Sequence, residues 1–124
     1  MATSTDRKLA RLAAAGLCRG AATDLREVGR LGDLTSVDSG VVLAHEGGHE
    51  PWSYFVLGGA ALLSAGDTPV AVAGAGCWLL GHVPGREHHP TPYDVVAGSN
   101  LEVLAFRPRD LGAALRIESL RLAG

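Results

Sequence analysis

The placement of its glycines constrains this chain more than any other feature. Of 124 residues 17 are glycine, and from Asp33 onward they stand between short apolar β-like pieces. Those pieces are Leu34–Val37, Val41–Ala44, Trp52–Leu57, Ala60–Leu63, Val70–Ala73, Trp78–Leu80, Tyr93–Ala97 and Leu101–Phe106. The separators, Asp38-Ser39-Gly40, Gly47-Gly48, Gly58-Gly59, Ala65-Gly66-Asp67, Gly74-Ala75-Gly76 and Gly98-Ser99-Asn100, carry turn chemistry. Glycine enters positive φ without a Cβ clash, and Asp, Ser and Asn bond their own backbone. Short strands with regular turns and no intervening helices predict a mainly β, antiparallel eight-stranded roll or jelly roll, with two sheets facing each other.

Helical patterns bracket the strands. Thr5 or Asp6 caps a first helix carrying Leu9, Leu12, Ala13 and Leu17, and Gly16 or Gly20 ends it; Thr23-Asp24 caps a second with Leu25 and Val28 inward. Arg107-Pro108-Arg109-Asp110 opens a closing helix, with Pro in the first turn and Leu111, Ala114, Leu115, Glu118 and Leu122 along helical spacing. Residues 1–8 read as an N-terminal tail and helix start, and residues 9–124 as a single domain.

Composition narrows the function classes. Hydrophobic residues make up 47% and charged residues 19%, so the chain can offset its folding entropy without disulfides or metals. Eleven basic against 13 acidic residues leave a net charge of −2, which argues against a nucleic-acid or anionic-membrane partner. The longest apolar run, Phe55 to Leu63, is interrupted by Gly58-Gly59 and is far shorter than the ~18 residues of a spanning helix. No signal-peptide core follows Arg7-Lys8, and two cysteines, Cys18 and Cys77, fit reduced thiols. A cytoplasmic protein is expected, with Cys77 as inert core beside Trp78.

The run Glu46-Gly47-Gly48-His49-Glu50-Pro51-Trp52-Ser53-Tyr54-Phe55-Val56-Leu57-Gly58-Gly59 resembles a hairpin of the cyclic nucleotide-binding domain family, the effector domain of the catabolite activator type. Gly74-Ala75-Gly76 looks like that family's turn before its phosphate-binding cassette, which Gly81 and Val95-Val96-Ala97 bracket. Leu101–Phe106 with the following Arg107–Leu111 is similar to the family's last strand and closing helix. The resemblance implies an antiparallel β-roll with flanking helices, and a pocket drawn from Gly76, Gly81, His82, Val83, Thr91, Pro92 and Tyr93.

The cassette departs from the family pattern. Where the family has a Glu for the ribose hydroxyl this chain has His82, and Thr91, Pro92 and Tyr93 stand where Arg, Ser or Thr, and Ala belong. A charge-assisted Arg–phosphate pair is worth ~1.5–3 kcal/mol, so its loss weakens a cyclic nucleotide by roughly 10- to 100-fold. From Leu31 to Gly85 there is no Lys or Arg, leaving Arg86, His88 and His89 as the candidate anion contacts.

The resemblance therefore implies a stand-alone, non-enzymatic regulatory or protein-interaction module with a degenerate cassette. Ordinary cyclic AMP binding is expected to be weak or absent, and no cofactor is expected. In the family the closing helix carries the output. With the chain reaching only Gly124, that output is expected to pass to a protein partner or a second copy through Leu111, Leu115, Leu120 and Leu122, not to DNA. Two alternatives stand beside it. One is a genuine sensor of a cyclic nucleotide or small anion through the altered cassette. The other is a cupin-type metal enzyme using His45, His49 and Glu50, whose spacing across Gly47-Gly48 suits a metal poorly. No catalytic residue and no metal ligand is assigned. The letters of H-E-x-x-H occur at residues 45–49, but two central glycines disfavour the helix that motif needs.

Overall fold

Alternation within two strands decides the architecture. In the segments Ser53–Gly58 and Leu101–Phe106, neighbouring residues are buried on opposite faces, so these strands must be covered from both sides. The structure, a computed structural model, describes residues 22–85 and 90–117 together with Gly16. The first predicted helix, Cys18, Glu118, Leu120 and Leu122 lie outside the described residues.

All eight predicted strands form: β1 (Asp33–Val37), β2 (Val42–Ala44), β3 (Ser53–Gly58), β4 (Ala61–Ala65), β5 (Thr68–Ala73), β6 (Trp78–Leu79), β7 (Asp94–Ala97) and β8 (Leu101–Phe106). They make two antiparallel four-stranded sheets, in the orders β1-β8-β3-β6 and β2-β7-β4-β5. Helix α1 (Ala22–Leu31) precedes them and helix α2 (Pro108–Ala114) follows. This is the β-roll with flanking helices that the glycine punctuation predicts. Helix α2 opens on Pro108 as expected, but ends well before Leu122.

One face of the first sheet packs against the helices. Phe55, Leu104 and Phe106 meet Val28 of α1 and Leu111 and Ala114 of α2 there, and Trp78 tilts against Phe55 at 5.1 Å and Phe106 at 5.5 Å between ring centres. The other face packs against the second sheet, where Val56, Leu101 and Val103 meet Ala44, Ala61, Ala73, Val95 and Ala97. Among the described residues the second sheet is covered on one side only. Its outer face carries the cross-strand row Val42, Val96, Leu62 and Val72, of which Val42, Leu62 and Val72 are exposed.

Two glycines show different reasons for the same residue. Gly47 has φ +81° with no neighbour near a Cβ, so only its left-handed backbone demands glycine. At Gly81 a Cβ would instead run into the carbonyl oxygens of Trp52 and Glu50. Gly47→Ala is expected to cost about 1–2 kcal/mol of backbone strain. Gly81→Ala is expected to cost at least as much as a typical overpacked site, about 2–3 kcal/mol, because it must move main chain. Urea unfolding of the two variants checks the order, and an equal or smaller loss at Gly81 would mean that residues 50–52 give way.

Candidate functional site

The turn after β2 ties three parts of the second sheet together. The Glu46 carboxylate accepts the Gly66 N–H at 2.8 Å, and the Asp94 carboxylate accepts the Glu46 N–H at 2.7 Å. Main chain continues the clasp: Gly47 N–H donates to the Thr91 carbonyl at 2.8 Å, and Thr91 N–H donates to the Gly48 carbonyl at 2.7 Å. The end of the cassette is thus held against the turn by the main chain of Thr91 and the carboxylate of Asp94.

Beside this clasp the two sheets part into a cleft of about 200 Å³. Leu43, Ala44, Leu63 and Val95 line it from the second sheet, Tyr54, Trp78 and Leu79 from the first, and Glu50, Trp52, Leu80 and Thr91-Pro92-Tyr93 close its sides. Among the described residues Glu50 is the one charged residue of this lining, and no Lys, Arg or His belongs to it. The Glu50 carboxylate accepts the Trp52 N–H at 3.3 Å. Burial, and secondarily the Glu50 charge, push the Tyr54 hydroxyl above its ordinary pKa of 10.0. The cleft wall therefore has a negative character that a phenol in it already feels. On the Trp52 side, the Arg107 guanidinium lies 5.4 Å from the ring centre.

The predicted pocket residues divide among four places. Thr91, Pro92 and Tyr93 line the cleft. Gly81 and His82 lie instead along the start of β3, where Gly81 N–H donates to the Oγ of fully buried Ser53 at 2.9 Å and His82 N–H donates to the Pro51 carbonyl at 3.3 Å. Gly76, with φ +91°, turns the chain before β6 and bonds the Val56 carbonyl at 2.8 Å, off the lining. Val83 corrects the reading most plainly. It is buried in the core beneath the helices, because the segment after Gly81 crosses to that side and Pro84 packs beside Gly112 of α2. Arg86, His88 and His89 lie outside the described residues.

Leu111 is also a correction, since it is fully buried in the same core and has no surface to offer a partner. Leu115 is half-buried against that core. Cys77 is exposed, whereas the sequence reading places it in the core. His45 and His49 are exposed, and among the described residues no group of three or more His, Cys, Asp or Glu is arranged to hold a metal ion. Besides aliphatic strand residues, the cleft residues that sequence reasoning did not assign to the pocket are Glu50, Trp52, Tyr54 and Trp78. Their signal was the i, i+2 spacing of Glu50, Trp52 and Tyr54, which places them on one side of an extended segment.

No family model matches the chain, and no curated protein matches it. Solved structures do. PKAR CBD2 with Sp-2Cl-cAMPS bound superposes with TM-score 0.73 at 13% identity, over 94% of this chain and 83% of that one. A cyclic nucleotide-binding domain from Methylobacillus flagellatus KT has TM-score 0.71 at 14% identity, over 91% and 74% of the two chains. A cyclic nucleotide-binding-like protein from Brucella abortus has TM-score 0.66 at 20% identity, over 90% and 99%. This chain thus has the fold of cyclic nucleotide-binding domains, with little sequence in common.

The electrostatics of the cleft can be read at Tyr54. In a Tyr93→Phe background Tyr54 is the one remaining tyrosine, and ultraviolet titration is expected to find it ionising above 10.0. Adding Glu50→Gln is expected to lower that value only partway, because burial is the larger cause. The folded state holds this proton more tightly than the unfolded chain, so stability is complete below pH 10 and falls as pH rises through the folded value.

Proposed function

We propose that this chain is a regulatory domain of cyclic nucleotide-binding fold whose cleft has given up the cyclic phosphate as its anchor. One observation carries the reading: Thr91, Pro92 and Tyr93, at the positions where the family pattern has its phosphate-binding Arg and neighbours, line a cleft whose charged residue is Glu50. A phosphate monoanion there would meet a carboxylate and an apolar wall, at a cost that no described side chain offsets. The domain is non-enzymatic in this reading and acts in the cytoplasm. No helix among the described residues is long and apolar enough to cross a membrane. Its output goes to a protein partner or a second copy through the segment beyond α2, around Leu115, Leu120 and Leu122, and not to nucleic acid or a membrane.

Ligand titration followed by thermal unfolding tests the proposal. A ligand at 100 times its Kd adds about 2.7 kcal/mol, which raises the Tm of a domain this small by several degrees. Cyclic AMP and cyclic GMP are expected to give no saturable rise up to about 1 mM, a limit that corresponds to binding weaker than about −4 kcal/mol. A saturable rise overturns the proposal. If Arg86→Ala abolishes that rise, the cassette works as a rebuilt anion site.

A further inference from the structure

We infer that the cleft between the sheets takes a small organic cation, an ammonium carried on an apolar body of about one ring. The inference rests on the proposed loss of the phosphate anchor and names what the same site would hold instead. Size sets the first limit. At about 200 Å³ the cleft is near the ~150 Å³ of a cavity that holds benzene and below the ~300–1,000 Å³ of sites for drug-sized ligands. One ring and a few further atoms fill it.

Charge sets the second limit. The carboxylate of Glu50, half-buried, is the charged group of the described lining, and its bond to the Trp52 N–H holds it at the cleft wall. A carboxylate beside apolar surface is stabilised by a cation and further strained by an anion. A neutral ligand would fill the space and leave that charge unanswered.

The aromatic rings set the third. Trp52, Tyr54, Trp78 and Tyr93 all border this one cleft, and ring faces attract an ammonium through their quadrupoles, most strongly where water is excluded. The molecule already makes such a contact in the same wall, where the Arg107 guanidinium sits over the Trp52 ring. Tyr54 is the neutral phenol at neutral pH, so Glu50 supplies the negative charge of the described lining. Aromatic rings and one carboxylate around a cleft of this size form the chemical complement of a monocation with an apolar body.

The test compares three one-ring compounds of different charge. Both tryptophans of the chain line the cleft, so indole fluorescence, supported by titration calorimetry, reports its occupation. Phenyltrimethylammonium is expected to bind saturably, benzyl alcohol about tenfold more weakly and benzenesulfonate more weakly still, consistent with the worth of a partly desolvated cation–π contact. Glu50→Gln keeps an oxygen for the Trp52 N–H, and is expected to weaken the cation about tenfold while leaving benzyl alcohol unchanged. Should that variant unfold, Tyr93→Ala, at an exposed position, is expected to weaken the cation several-fold, within the same range. Equal affinity for the cation and the alcohol overturns the inference, as does a Glu50→Gln protein that binds the cation unchanged. A cyclic AMP arm separates the two levels. Absence of binding by both cyclic AMP and the ammonium overturns this inference alone, and saturable cyclic AMP binding overturns the parent reading together with it.

Discussion

The antiparallel pairing of β3 with β8 is the contact on which the rest of the molecule depends. The register that sets Phe55 opposite Leu104 also sets Val56 opposite Val103, so one ladder supplies fully buried side chains to two cores at once. Each such side chain is worth about 1.5–3 kcal/mol of burial. A one-residue slip would turn Phe55 toward the second sheet and Val56 toward the helices, exchanging a large and a small residue across both cores. Register is therefore specified twice. The flanking strands need much less: β2 runs over three residues and β6 over two, and the cleft opens where these short strands stop covering the gap between the sheets.

The cleft can vary in chemistry because its frame is built from main chain. Thr91 bonds the Gly47-Gly48 turn through its own N–H and carbonyl, and the Glu46 carboxylate reaches the β4–β5 turn, not the cleft. Side chains at residues 91–93 consequently face the cleft without holding the fold. Thr91, Pro92 and Tyr93 therefore differ from the family pattern without touching the main-chain bonds that hold the turn. Fold and ligand chemistry separate at these three residues. The chain superposes on solved structures that are 13–20% identical to it over 90–94% of its length.

The fold was legible for the same reason. Glycine turns mark where each strand must stop, and all eight strands appear within a residue or two of the expected ends, the largest offsets being the end of β4 at Ala65 and the start of β5 at Thr68. The site was legible only in part. Thr91, Pro92 and Tyr93 were found by counting along the cassette. Val83 was assigned to the pocket and Leu111 to a partner surface, and both lie in the core beneath the helices, because an apolar residue beside a sheet covered on both faces carries no mark of which core it joins. Trp52, Tyr54 and Trp78 read as ordinary strand hydrophobics, and Glu50 as a ligand of the metal alternative. Their common property, convergence on one cleft, arises from the approach of β3, β6 and the cassette end, which no local pattern encodes.

Trp78 joins these two territories. It is the one cleft-lining residue that also packs into the core beneath the helices, where its ring tilts against Phe55 and Phe106, and Leu111 and Ala114 of α2 complete the same cluster. The cassette makes a second connection, since Val83 and Pro84 lie against α2 while Thr91-Pro92-Tyr93 form the cleft wall. A close-packed interior transmits a shift of a ring this large to its neighbours instead of absorbing it. The Trp78 indole thus forms part of the cleft wall and part of the packing against which α2 sits.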